Sequence, residues 1–204
     1  MGYTWTVTAM PMFPLGTVLL PGGLLPLRLF EPRYLALLAD VLADDEPEIG
    51  FVLIERGVET GGGDSRFSTA TVGRVVQVEP RQQEMGLVAV GGRRVEVEGW
   101  LPEDPYPRAK VRELPPLELD VDLVAVAEVH ERATTAAVRL GAMPPEPPPH
   151  DLEAACWHLA DGCPVGPYDR LGLLRATSAS ALLAAVEDAY EQAVVLHEAF
   201  GSGG

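Results

Sequence analysis

Lysine is almost missing from this chain: Lys110 is the only one in 204 residues, so arginine supplies nearly all of the 15 positive charges set against 30 Asp and Glu. The resulting formal charge of -15 argues against a surface built to grip a phosphate backbone, because that affinity comes from clustered Lys and Arg. Anionic membrane surfaces are disfavoured for the same reason. Cysteine is scarce as well. Cys156 and Cys163 are too few for a disulfide framework, and although His158 lies between them no fourth ligand completes a zinc set, so they read as buried thiols on a helix. Uninterrupted apolar runs are also absent. Residues 10–30 are apolar enough to suggest a membrane span, but Pro11, Pro14, Pro21 and Pro26 with Gly16, Gly22 and Gly23 break any continuous helix there. The start of the chain lacks the basic residues of a secretory signal and fits only a loose Met-Gly-x-x-x-[Ser/Thr] myristoylation pattern. A cytoplasmic location is expected.

Catalytic signatures are missing too. No Gly-x4-Gly-Lys-[Ser/Thr] loop occurs, and Gly61-Gly62-Gly63-Asp64-Ser65-Arg66 lacks the phosphate-reaching lysine. His130-Glu131 and His197-Glu198 each lack the second histidine of a zinc helix, and there is no Gly-x-Ser-x-Gly elbow. Lys110 falls on an expected strand with no serine near it in sequence. Asp44, Asp45, Glu46 and Glu48 could hold a cation but read more simply as a solvated helix end.

What is present is ordinary globular composition, 47% hydrophobic and 22% charged, and one dense stretch of structural signals. Met12-Phe13-Pro14-Leu15-Gly16 reads as a strand, and Pro21-Gly22-Gly23 as a turn, with Pro presetting φ and Gly accepting a positive φ. Leu25, Leu27 and Leu29 then alternate with Pro26, Arg28 and Phe30, the period-2 pattern of a half-buried strand. Pro32 after Glu31 suits the first position of a helix and places a carboxylate near its positive end. Tyr34, Leu35, Leu38, Val41 and Leu42 form the expected apolar stripe.

Further strands are expected at 49–54, 69–79, 86–90, 93–101 and 107–114, with a loop at 57–68 and a hairpin turn at Gly91-Gly92-Arg93-Arg94. Short strands at close spacing with one intervening helix suggest a small closed β-barrel, PUA-like or OB-like. After Pro115-Pro116 the apolar spacing becomes helical. Leu123, Val126, Ala127, His130, Ala133, Ala137 and Leu140 stripe one helix, residues 143–149 form a Pro-rich linker, and Asp151 and Ser178 are placed to cap later helices.

Three elements together resemble the Lon protease N-terminal, substrate-binding domain family. They are the Phe13-Pro14-Leu15 strand followed by the leucine-rich strand and Phe30-Glu31-Pro32-Arg33-Tyr34, the run Val90-Gly91-Gly92-Arg93-Arg94-Val95-Glu96-Val97, and the weaker Asp169-Arg170-Leu171-Gly172-Leu173-Leu174. Val95 stands where the family often carries an aromatic. The resemblance spans roughly residues 10–200, which leaves Met10 as an alternative translation start. It implies an α+β fold: a PUA-like β-barrel with one intervening helix over residues 1–116, then a C-terminal α-helical bundle over 117–204. It also implies a non-catalytic module that binds exposed hydrophobic or unfolded segments in proteolysis or quality control, without cofactor, metal, nucleic acid or membrane. Leu27, Phe30, Glu31, Arg33, Tyr34, Gly92, Arg93 and Arg94 are the peptide-contact candidates, with an unpaired strand edge as one means of contact. A hydrolase using Cys163 or a metal near His158, and an RNA-binding PUA-like module, stand as alternatives.

Overall fold

The computed structural model describes residues 7–55, 66–82 and 84–200. The expected 57–68 loop falls mostly outside them. The chain divides into two compact units, Met1–Pro115 and Pro116–Gly204.

The first unit is a mixed six-stranded sheet with one helix. Its elements are β1 (Val7–Leu15), β2 (Leu24–Leu29), α1 (Pro32–Val41), β3 (Glu48–Ile54), β4 (Arg66–Pro80), β5 (Met85–Trp100) and β6 (Arg108–Glu113). The strand order is β2-β5-β4-β3-β1-β6, and a further β5–β6 pairing closes a circuit that leaves β2 appended to β5. Among the described strands only β1–β3 is parallel; the other pairs are antiparallel. Each strand of the circuit sends small or unbranched apolar side chains into one cluster, including Met10, Met12, Val52, Ala70, Val95 and Val111. The opposite parity of β1 and β3 contributes Phe13, Ile49 and Phe51 to a second cluster, which β5 joins through Leu87 beyond its register shifts and which α1 covers with Tyr34, Leu37, Leu38 and Val41. Period-2 alternation thus lets one strand serve two cores.

Two sequence readings need correction here. The α1 stripe takes Leu37, fully buried, in place of Leu42, which is 45% exposed because the helix has reached its C-cap there. More consequentially, residues 91–94 form no hairpin turn. β5 runs unbroken through them, pairing with β2 over Met85–Val90 and with β6 over Val95–Trp100. Gly91 is the crossing point for the β1–β2 connection: its N–H donates to Gly23 O at 2.9 Å and its carbonyl accepts from Gly22 N at 2.8 Å. A Cβ at Gly91 would lie 2.0 Å from Leu20 O, so only glycine lets the two backbones approach this closely. Gly22 provides the turn itself, at φ +77°.

The second unit holds α2 (Leu123–Arg139), α3 (Leu152–Asp161), α4 (Pro167–Leu174) and α5 (Ala179–Phe200), with α5 packed against the other three. Asp122 and Asp151 cap α2 and α3 through their carboxylates, and Ser178 Oγ accepts from Ala181 N at 3.3 Å at the start of α5. The α2 stripe is rotated from the expected one. Val126, Val129, Ala133 and Ala137 are buried, Leu123 is 44% exposed, and His130 turns aside to bond Pro145 O at 3.2 Å.

Candidate functional site

β2 is the end of the sheet order, and among the described residues no strand pairs with its outer side. Pro26 has no N–H to give to β5, so it can occupy the ladder only where its nitrogen faces away from that partner. By alternation the backbone groups of Leu24 and Arg28 also face outward. The free edge therefore lacks a donor at its middle position, and a regular added ladder is interrupted there. This is how exposed edges are commonly protected.

The side chains of β2 are divided cleanly. Leu25 and Leu29 are buried and Leu27 half-buried, whereas Leu24, Pro26, Arg28 and Phe30 are exposed, Leu24 at 68% and Phe30 at 67%. Cross-strand register aligns Pro26 with Val88 and Gln77, and Arg28 with Gly86 and Glu79. Because Gly86 carries no side chain between Arg28 and Glu79, the β2–β5–β4 surface dips into a groove of about 520 Å³, whose lining also includes Arg81. Arg28 and Arg81 each pair with Glu84 at 3.9 Å, and Arg81 also with Glu79 at 3.7 Å, contacts longer than hydrogen bonds that hold both guanidinium groups at the groove edge.

At the C-terminal end of β2 the chain turns into α1. Glu31 is the N-cap, with extended backbone (φ -73°, ψ 131°) and no side-chain capping bond; its carbonyl accepts from Tyr34 N at 3.0 Å and Leu35 N at 3.1 Å. Its carboxylate instead accepts from Arg33 Nε at 3.0 Å, and Arg33 also donates to Glu103 at 2.9 Å. Glu103 reaches on to Arg66 at 3.6 Å, and the Arg66 guanidinium lies 4.2 Å over the Trp100 ring. Partial burial works against the Arg33 charge, but Tyr34, Glu31 and Glu103 outweigh it and hold the group above the usual arginine range. Tyr34 belongs to the core. It is 7% exposed, its ring stacks on Phe13 at 4.1 Å between centroids, and burial raises its pKa.

The remaining candidates lie at the far end of the β2–β5 ladder, beyond Leu24, and do not join this surface. Gly92 is exposed. Arg93 makes a two-pronged bond to Glu48 at 2.5 and 2.6 Å, and that bond is the main reason its pKa is raised. Glu48 is thereby removed from the acidic cluster that 44–48 suggested. Arg94 is 7% exposed and donates to Pro115 O at 2.8 Å, fastening the end of the unit.

With this geometry in hand, the family model for the ATP-dependent protease La (LON) substrate-binding domain matches residues 9–190. The chain belongs to that family. Among curated relatives it is 33% identical over 105 residues to Lon protease 2 of Myxococcus xanthus, covering 50% of this chain and 13% of that protein. It is 31% identical over 123 residues to Lon protease of Anaeromyxobacter dehalogenans (strain 2CP-C), covering 58% and 14%. Of solved structures, the Lon N-terminal domain protein from Xanthomonas campestris matches with TM-score 0.59 and 26% identity over 84% of this chain and 92% of its own. The N terminal domain of Mycobacterium avium complex Lon protease matches with TM-score 0.65 over 90% and 98%, at 16% identity, a likeness of fold alone.

The thiol-hydrolase alternative fares poorly in this Lon-family chain. Cys156 and Cys163 are buried, and burial pushes their thiols up to about 11 and about 12, so neither forms the thiolate that nucleophilic attack requires at neutral pH. His158 Nε2 donates to Glu146 O at 3.0 Å, which commits that ring nitrogen to the backbone. Among the described residues no group of three or more His, Cys, Asp or Glu is placed to hold a metal ion, and no helix is long and apolar enough to cross a membrane. Sequence reasoning missed the groove residues Gln77, Glu79, Gly86 and Val88 and the partners Glu103 and Arg66. Cross-strand register brings the four groove residues together, and a single sequence carries no signal for it.

Proposed function

We propose that this Lon substrate-binding domain protein is a non-catalytic, cytoplasmic module that holds exposed apolar segments of unfolded proteins for a protease system, through the outward face of β2 and the groove beside it. The observation that carries the reading is the apolar strip of Leu24, Pro26 and Phe30, set in register beside the β2–β5–β4 groove. Burying one such side chain in a complex is worth on the order of 1.5 to 3 kcal/mol. Two or three sum to about 3 to 9 kcal/mol, which association costs reduce to weak binding with little sequence preference unless the groove adds contacts of its own. Arg28 and Arg81 at the groove edge suit backbone carbonyls or a carboxylate of the occupant. Contact through side chains fits β2 better than strand addition, since Pro26 interrupts the edge. In this reading the closed circuit of strands is a PUA-like barrel forming a first domain to residue 116, and residues 117–204 are a separate helical domain.

The test is a titration of the full chain with a fluorescent, reduced and alkylated polypeptide that cannot fold, beside the same polypeptide in its native form. Saturable binding of the unfolded form alone supports the proposal. Equal affinity for both forms, or none for either, refutes it.

A further inference from the structure

α5 is flanked by two grooves of about 540 Å³ each, and their charges are arranged in opposite ways. The groove against α2 contains Arg132, which pairs with Glu187, and Arg139, which pairs with Glu198 at 2.5 Å. Both of its arginines are already paired. The groove against α4 has an apolar floor of Ala185, Ala189 and Ala193, one helical turn apart, continued by Leu173 and Leu196, and Gly172 leaves open space on the facing helix. Asp169 and Asp188 stand over this floor, and no Arg, Lys or His lines it. Neither carboxylate has an ion-pair partner among the described residues. Asp169 lies in the first turn of α4, where the helix dipole accounts for its presence. Asp188 sits mid-helix on α5, and no local interaction accounts for it.

We infer that the α4–α5 groove is a docking site for an amphipathic helical segment of a partner protein, one that carries Arg or Lys beside its apolar stripe. Small alanines let an incoming helix approach closely while Leu196, 57% exposed, meets its apolar side chains. The unpaired carboxylates select a cationic partner and penalise an acidic one. The inference is independent of the β2 site, which lies in the other unit.

The probe is a fluorescent 16-residue helical peptide with leucines at i, i+3, i+4 and i+7 spacing and arginines flanking that stripe, titrated into the full chain at physiological salt. Binding is expected to weaken by about fivefold or more in Asp188→Asn and in Leu196→Ser, both exposed positions that leave the melting temperature in place. Asp45→Asn combined with Glu46→Gln removes two exposed carboxylates from the first unit and should leave binding within about twofold. Equal losses in that control and in Asp188→Asn would reduce the effect to attraction by net charge and overturn the inference. So would undiminished binding by Leu196→Ser, or no binding by the wild type.

Discussion

Phe30 and Tyr34 are four residues apart, both aromatic and both in the stretch that carries the family resemblance, yet they have opposite fates. Tyr34 is stacked against Phe13 in the core, while Phe30 is 67% exposed with nothing to bury it. Phe30→Ala should therefore leave the melting temperature within about a degree while weakening binding of the unfolded polypeptide by about tenfold, roughly 1.4 kcal/mol. A calorimetric scan beside the anisotropy titration checks both halves. Glu31 and Arg33 are tied to each other and to Glu103, a network with exposed members and correspondingly small stability, about 0 to 1 kcal/mol per pair. Glu31→Ala and Arg33→Ala are expected to lower the melting temperature slightly and to leave binding within about twofold. A pure binding defect in Glu31→Ala at unchanged stability would move that residue from scaffold to contact surface. The sequence placed these residues correctly at a strand-to-helix corner. It could not separate Phe30 from Tyr34, because exposure depends on which face the rest of the sheet covers.

At the scale of elements, local signals were read well wherever capping or alternation decided the matter. Pro32 opens α1, Asp151 and Ser178 cap their helices, and Leu25, Leu27 and Leu29 face inward. They misled where a long-range contact overrode the local preference. Gly91-Gly92 has the composition of a turn, but its glycine exists so that the backbone of Leu20 can cross β5, and no local window contains both partners. The rotated α2 stripe has a related cause: Val129 and His130, consecutive and so about 100° apart around the helix, exchange places at the core face, and the Pro145 carbonyl that attracts His130 comes from the following linker. Gly91→Ala should destabilise the chain by about 2 kcal/mol or more, since overpacking here meets rigid backbone rather than a side chain. Gly99→Ala, on the same strand with open space at its Cβ, should change stability by no more than about 0.5 kcal/mol. Urea midpoints for the two variants give the comparison, and similar values would remove the close-approach account of Gly91.

For the whole molecule, the buried thiols make a prediction about pH. Cys156 and Cys163 keep their protons to about 11 and about 12 in the folded chain, while unfolded thiols release theirs near about 8.5. The unfolded state then binds fewer protons than the folded one, so stability is fully present below about pH 8.5 and falls as pH rises through the window up to about 12. Buried tyrosines with raised pKa, Tyr34 and Tyr190, add to the same trend above about pH 10. Urea midpoints measured from pH 7 to 10 should decline, and they should decline less in Cys156→Ala with Cys163→Ala; a flat profile in the wild type would contradict the burial of these groups.

The central claim is that the outward face of β2, rather than any catalytic group, is what this Lon substrate-binding domain protein presents to its partners. The most direct test is the affinity of the double variant Leu24→Ser, Phe30→Ser for the unfolded polypeptide, measured alongside its melting temperature. The account predicts an unchanged melting temperature and a loss of binding of about tenfold or more. Wild-type affinity in a folded double variant would contradict it.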